Sequence, residues 1–222
     1  MIPVHNGERY LAEALESVLV QSHRAIEVVV IDDGSTDRSL EIARQFGPRV
    51  RCHAQERAGP AAARNHGVSV ARGSYLTFLD ADDLWEPDKL DRQLEAIGRD
   101  RGPDLVFGHA VQFESPELEP AESAGTRPTT NPQPARQLGA MLTRRETWNA
   151  VGSLATEWRV GEFLDWLGRA QHLGLREAML PNVVLRRRLH PSGHSARNRE
   201  AMGDYARILK AALDRRRADA RR

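Results

Sequence analysis

At 222 residues the chain can bury one substantial hydrophobic core and suits a single α/β domain. Its 32 lysines and arginines nearly balance 31 aspartates and glutamates, and the net charge of +1 excludes a broadly basic nucleic-acid-binding surface. One cysteine, Cys52, excludes an internal disulfide and a cysteine metal cage, and neither a signal peptide nor the roughly 18-residue apolar run of a membrane span is visible, so a cytoplasmic protein is expected.

In chain order, Ile2–Val4 reads as the end of a first strand, abnormally brief unless the chain starts upstream. Leu11, Leu15, Val18 and Leu19 recur at helical spacing within Gly7–Gln21, and the β-branched Val28–Ile31 forms a second strand closed by the turn residues Asp32–Ser35. A helix over Thr36–Phe46, capped by Ser35 or Thr36, a strand over Arg49–His53 and an alanine-rich helix over Ala61–Ala71 follow. Tyr75–Leu79 reads as a strand and Trp85–Ile97 as a helix with Pro87 in its first turn. Ser115–Pro134, rich in proline, glutamate and threonine, reads as an exposed loop. Beyond it come a strand at Gly139–Leu142, helices over Arg144–Val151 and Phe163–Leu173, a strand at Val183–Leu189 and a last helix over Glu200–Arg216. That helix places Met202, Tyr205, Ile208, Leu209, Ala212 and Leu213 on one side. Alternating strands and helices predict a largely parallel sheet covered by helices.

Two acidic clusters end predicted strands, where the ligand crevice of an open α/β sheet lies. Asp80-Ala81-Asp82 presents hard oxygen ligands suited to Mg²⁺ or Mn²⁺ together with substrate phosphates. A solvated turn is the ordinary reading of such a triplet, but like charges at the end of a buried strand are relieved by a cation. In Asp32-Asp33-Gly34-Ser35-Thr36-Asp37, carboxylates can accept from base or ribose donors, and Arg64 offers a permanently charged fork for a nucleotide's carbonyls or phosphates.

Four segments, Ile2-Pro3-Val4-His5-Asn6-Gly7-Glu8, Asp32–Asp37, Gly59-Pro60 with Ala63-Arg64-Asn65, and Phe78-Leu79-Asp80-Ala81-Asp82-Asp83, together resemble family-2 glycosyltransferases of the GT-A fold, in that family's order and spacing. The resemblance implies a GT-A-type Rossmann-like α/β sandwich and an inverting transfer from a nucleotide-diphosphate sugar, a UDP-sugar being favoured. It sets Pro3, Asp33, Arg64 and Asp80 near the nucleoside, with Val4, His5, Glu8, Asp32 and Ala81 beside them. It sets Asp82 on the metal. Gly161-Glu162-Phe163-Leu164-Asp165-Trp166 and Arg188-Leu189-His190 resemble the acceptor-side acidic motif and the late Arg-x-His motif, which makes His190 a metal or phosphate ligand. Counting back from Arg169, the family's aspartate base falls on Phe163, so Asp165 or Glu162 must supply that carboxylate if one does.

This reading divides one domain into a nucleotide-sugar-binding half (1–110), an exposed loop (111–137) and an acceptor-side half with its C-terminal helix (138–222). The acceptor, whether saccharide, lipid or peptide, is not legible. A sugar-1-phosphate nucleotidyltransferase is the nearest other enzyme, but its glycine-rich loop with Arg and Lys is not visible. A non-catalytic nucleotide-sugar-binding protein is the third reading, suggested by Phe163. The arginine-rich end, Arg215–Arg217 with Arg221 and Arg222, leaves open a contact with an anionic membrane or an acidic peptide, against the ordinary solvated helix end.

Overall fold

The computed structural model describes residues 1–98, 102–115, 128–190 and 203–219, the last five without their side chains. Its core is a three-stranded parallel sheet of β1 (Ile2–Val4), β2 (Val28–Asp33) and β3 (Val50–Gln55), with β2 central. All six residues of β2 are buried, as a strand flanked on both sides and covered on both faces requires. Its registers, Val4 opposite Asp32 and Asp33 opposite Gln55, bring the three carboxyl ends level. The covering helices are α1 (Leu11–Leu19), which buries Leu11, Ala14, Leu15 and Val18, α2 (Ser39–Gln45) and α3 (Pro60–Val70). Small residues let α3 lie close: a Cβ on Gly67 would sit 3.0 Å from Met1 Sδ and 3.4 Å from Ile31.

A second, mixed sheet has the order β4-β8-β6-β9-β5, with β7 also paired to β6. Its strands are β4 (Tyr75–Leu76), β5 (Leu84–Trp85), β6 (Leu105–Glu114), β7 (Gln133–Ala135), β8 (Leu142–Arg144) and β9 (Glu177–Leu189). Of its pairings only β6 with β9 is parallel. The two sheets meet edge to edge: the Met1 nitrogen donates to Thr77 O and Leu79 N donates to Met1 O, both at 3.0 Å. The parallel expectation thus describes β1–β3 and the long β6–β9 pairing, while the remaining pairings of the second sheet are antiparallel.

Several elements differ from the expectation for identifiable reasons. Only Tyr75–Leu76 of the expected strand joins a ladder, and the following residues bridge to Met1 while Phe78 and Leu79 are buried. The helix α4 (Lys89–Ile97) starts four residues late, because Leu84 and Trp85 pair with Arg186 and Leu185 and the residue before Pro87 is disfavoured in helix. Trp85 instead donates its indole N–H to Gly139 O at 2.9 Å. Gly139 lies in a 3-10 turn, Leu138–Ala140, so the strand expected there is β8. β6 was not anticipated, although its start, Leu105-Val106-Phe107, is wholly buried. Part of the expected loop is β7, and residues 116–127 lie outside the described residues. Two further helices, α5 (Arg145–Val151) and α6 (Glu162–His172), follow β8. The last helix, α7, spans Gly203–Asp219; of its expected apolar side Ile208 is buried, Leu209 and Leu213 are exposed, and Met202 lies outside the described residues.

Candidate active site

The carboxyl ends of β1–β3 form one wall. Asp33 is 4% exposed, and its carboxylate accepts from Gln55 Nε2, Ala58 N and Gly59 N, each at 2.8 Å. These bonds pin the turn that enters α3. Gly59 has φ 92° and ψ 165°, a conformation essentially restricted to glycine, and Pro60 then opens the helix that carries Arg64. Gln55 is oriented in turn by His66 Nδ1, 2.8 Å from its Oε1; nothing in the sequence singles out either residue. Asp32 is also 4% exposed; its Oδ2 accepts Ser35 N at 3.3 Å while Oδ1 is buried without a partner. A buried acceptor left open at a strand end is where a ligand's N–H or O–H belongs.

Pro3 and Val4 lie in β1, with Val4 beside Asp32. His5 Nδ1 lies 2.9 Å from Asp33 O, and the next residue, Asn6, has φ 53° and accepts from Thr36 N at 2.8 Å. Gly7 is required: a Cβ there would lie 2.8 Å from Val4 and 3.5 Å from Ala81, so this turn packs on the acidic triplet. Glu8 faces the start of α2, where its carboxylate accepts Arg38 N and its own N–H reaches Asp37 Oδ2, both at 3.0 Å. The expected cap by Ser35 or Thr36 is not formed: both bind the Asn6 turn, the N-cap position of α2 is Arg38 with no side-chain cap, and Asp37 Oδ1 accepts Ser39 N at 3.0 Å.

Opposite lies the acidic cluster. One ligand oxygen from each of Asp80, Asp82 and Asp83 can be chosen with all three within 4.8 Å of one another. His190 Nε2 is 2.9 Å from Asp82 Oδ2, so β9 delivers a fourth candidate ligand from 108 residues away. The Tyr10 ring meets the His190 ring edge-on, with centroids 4.8 Å apart. Burial first, then repulsion from Asp82 and Asp80, push the Asp83 carboxyl well above the ordinary range, against the opposing pull of the Arg188 N–H and of Arg187. Three carboxylates and an imidazole suit a hard divalent ion such as Mg²⁺ or Mn²⁺, whose charge would relieve that repulsion. Arg188 locks the cluster to the sheet: it is 4% exposed and donates to Asp82 O at 3.0 Å, Ser115 Oγ at 2.8 Å and Glu13 Oε2 at 2.7 Å.

Arg64 joins the two walls. Its Nη2 lies 2.6 Å from Asp80 Oδ1 and its Nη1 lies 2.7 Å from Glu162 Oε1, at the start of α6. Burial works against its charge, but the Asp80 and Glu162 carboxylates outweigh burial and raise its pKa. The two base candidates are therefore separated. Glu162 opens on Arg64 and Asp80, whereas Asp165 is 5% exposed and ion-paired at 3.0 Å with Arg169 one turn on. Between them Phe163 stacks on Trp166 at 5.9 Å, continuing a row through Trp148 to Phe78. The position where the resemblance expects an aspartate is thus occupied by packing.

A parallel nucleotide-type sheet, an acidic cluster at its crevice and a facing helix N-terminus bearing Glu162 define a GT-A-type architecture. A family model described as glycosyl transferase family 2 matches residues 1–156. The chain belongs to glycosyltransferase family 2.

Among its relatives, a Haemophilus influenzae glycosyltransferase is 47% identical over 98 residues, which cover 42% of this chain and 39% of that protein. A Rickettsia felis glycosyltransferase is 41% identical over 111 residues, 49% of this chain and 18% of the relative. Glycosyltransferase GlyG of Streptococcus pneumoniae is 35% identical over 118 residues, 51% and 39% respectively. The chain therefore spans well under half the length of these relatives. Among solved structures, S. aureus TarS superposes with a TM-score of 0.71 at 18% identity, over 95% of this chain and 38% of TarS. TarS residues 1–349 in complex with UDP-GlcNAc give 0.68 at 20% identity, over 87% of this chain and 58% of that one. At such identities the likeness is one of fold.

Proposed function

We propose that this protein is an inverting glycosyltransferase that moves a sugar from a nucleotide-diphosphate sugar, a UDP-sugar in the first instance, with a divalent cation held by Asp82 and His190. The reading is supported by the contact of Asp82 with His190 and the Arg64 bridge from Asp80 to Glu162, which bring an acidic cluster, an arginine and a further carboxylate together. The UDP-GlcNAc complex of TarS supports the choice of donor class.

Asp33, held by its three N–H donors, and Asp32, with one acceptor open, receive the nucleoside, flanked by Pro3, Val4, His5 and Ala81. A cation held by Asp82 and His190 would supply Lewis-acid neutralisation to a departing diphosphate. The acceptor attacks the anomeric carbon from the face opposite the diphosphate, and Glu162 takes its proton, so inversion needs one displacement and no covalent enzyme intermediate. We prefer Glu162 to Asp165 because Glu162 is linked through Arg64 to Asp80 of the acidic cluster, whereas Asp165 pairs with Arg169, which is anchored on Val151 O and Ser153 O. Among the described residues no helix is long and apolar enough to cross a membrane, and we assign the activity to the cytoplasm on the strength of the lone cysteine.

Calorimetric titration with UDP and with GDP, with and without Mn²⁺, tests the donor site. Metal-dependent binding of one nucleotide is expected, lost in Asp82→Asn with the fold intact; equal Mn²⁺-dependent affinity in that variant refutes the metal role. The packing of Phe163 in the base position favours a second reading, a non-catalytic nucleotide-sugar-binding protein. Slow hydrolysis of the bound donor distinguishes an enzyme from such a protein.

A further inference from the structure

The C-terminal helix carries a feature that sugar transfer does not use. α7 is seated by a small part of its surface. Asp204, 2% exposed, accepts Arg159 N at 2.9 Å and pairs with Arg207, and Ile208 is 1% exposed. These side chains pack on the turn that opens α6: a Cβ on Gly161 would lie 2.8 Å from Ile208 Cδ1 and 3.1 Å from the Tyr205 ring. The residue after Gly161 is Glu162.

Another strip of the helix is uncovered. Leu209 and Leu213 are 58% and 51% exposed, and Tyr205, 37% exposed with one ring edge against Gly161, heads the same row at a spacing of four. The other exposed large hydrophobics among the described residues, Val20, Leu164 and Leu173, do not form such a row. The same segment is rich in basic residues, although Arg207 turns to Asp204 and the Trp158 ring. Arg207 and Lys210 are exposed on the helix, and Arg215, Arg216, Arg217, Arg221 and Arg222 follow in sequence, so residues 203–222 hold seven basic residues against three aspartates, one of them the buried Asp204.

We infer that α7 is a peripheral membrane-docking helix whose Tyr205-Leu209-Leu213 strip enters the headgroup boundary of an anionic bilayer. An apolar strip of this width gives shallow insertion, and clustered arginines add electrostatic attraction near an anionic surface; neither suffices alone, and together they give reversible binding. Positive charge beside the apolar strip selects an anionic lipid surface over a neutral one and over a second, equally basic copy of the helix. Because α7 rests on Gly161, docking holds the Glu162 side of the crevice within roughly one helix diameter, about 10 Å, of the helix that touches the surface.

Vesicle flotation tests this with the whole chain, using phosphatidylcholine alone and phosphatidylcholine with phosphatidylglycerol. Binding to the anionic vesicles is expected to be stronger by on the order of tenfold or more, and to weaken as salt screens the arginines. Leu209→Glu with Leu213→Glu should abolish it while leaving the circular dichroism spectrum and nucleotide binding unchanged; Arg215→Gln, Arg216→Gln and Arg217→Gln together should reduce it toward the neutral-vesicle level. Equal binding by the Leu209→Glu/Leu213→Glu protein, or failure of the parent protein to float with anionic vesicles, overturns the inference. So does a dimer in solution that this double variant dissociates, since the strip then belongs to a second copy.

Discussion

Glu162 and Asp165 stand one helical turn apart, yet their surroundings differ. Glu162 meets the Arg64 fork at the crevice, while Asp165 is held by Arg169, which itself bonds Val151 O at 2.6 Å and Ser153 O at 2.6 Å. Glu162→Gln keeps an oxygen acceptor for Arg64 and should lower the transfer rate at saturating donor by about 10²–10⁴-fold, the usual worth of a general base. Asp165→Asn should instead act on stability, by about 3 kcal/mol in urea unfolding, because it strands part of a buried ion pair. A full rate in Glu162→Gln, measured at saturating donor, sinks the assignment. The residue motif announced both carboxylates but not their division of labour: that depends on Arg64, nearly a hundred positions earlier, and on which face of α6 the aromatic row of Phe163, Trp166 and Trp148 holds inward.

Among the elements, α3 shows how backbone geometry delivers a functional side chain. The Gln55–Gly59 turn hangs from Asp33 and reaches the helix through Gly59 at φ 92°. No atom obstructs a Cβ at that position, so Gly59→Ala isolates the backbone term. It should cost about 1–3 kcal/mol of stability with an unchanged urea m-value, and weaken nucleotide binding by shifting Arg64. Unaltered stability would mean that the turn relaxes to an ordinary conformation. The first three helices and their strands were legible because β-branched runs and helical spacing alternate there within short distances. β5 was not, because the two residues Leu84 and Trp85 acquire strand character only from their partner Leu185 and Arg186, a hundred positions away. β4 was shortened for the same reason: its continuation serves Met1 instead of a ladder.

At the scale of the whole molecule, a buried lysine ties α4 to the segments that follow β4 and precede β8. Lys89 is fully buried and donates to Thr77 Oγ1 at 2.9 Å and Gln93 Oε1 at 2.6 Å, with Trp85 under its ammonium at 4.3 Å. Burial drives its pKa well below the ordinary lysine value. The unfolded chain therefore binds a proton that the folded chain resists, and stability rises with pH from the depressed folded value up to the ordinary value near about 10.4. Unfolding free energies taken across that window should climb more steeply in the parent than in Lys89→Met, by up to about 1.4 kcal/mol per pH unit. Parallel curves would show that Lys89 keeps its charge in the fold.

By itself the sequence determined the α/β class, the family, and the residue types of both acidic clusters, because these depend on local periodicity and on short motifs whose spacing survives in one dimension. Only the tertiary structure decided that His190 joins Asp82, that Arg64 bridges Asp80 to Glu162, that Asp165 pairs with Arg169 and that a second, six-stranded sheet is mixed. Each of these is a pairing between distant segments, and a pairing is set by how sheets and helices pack in space, which no single stretch of sequence contains.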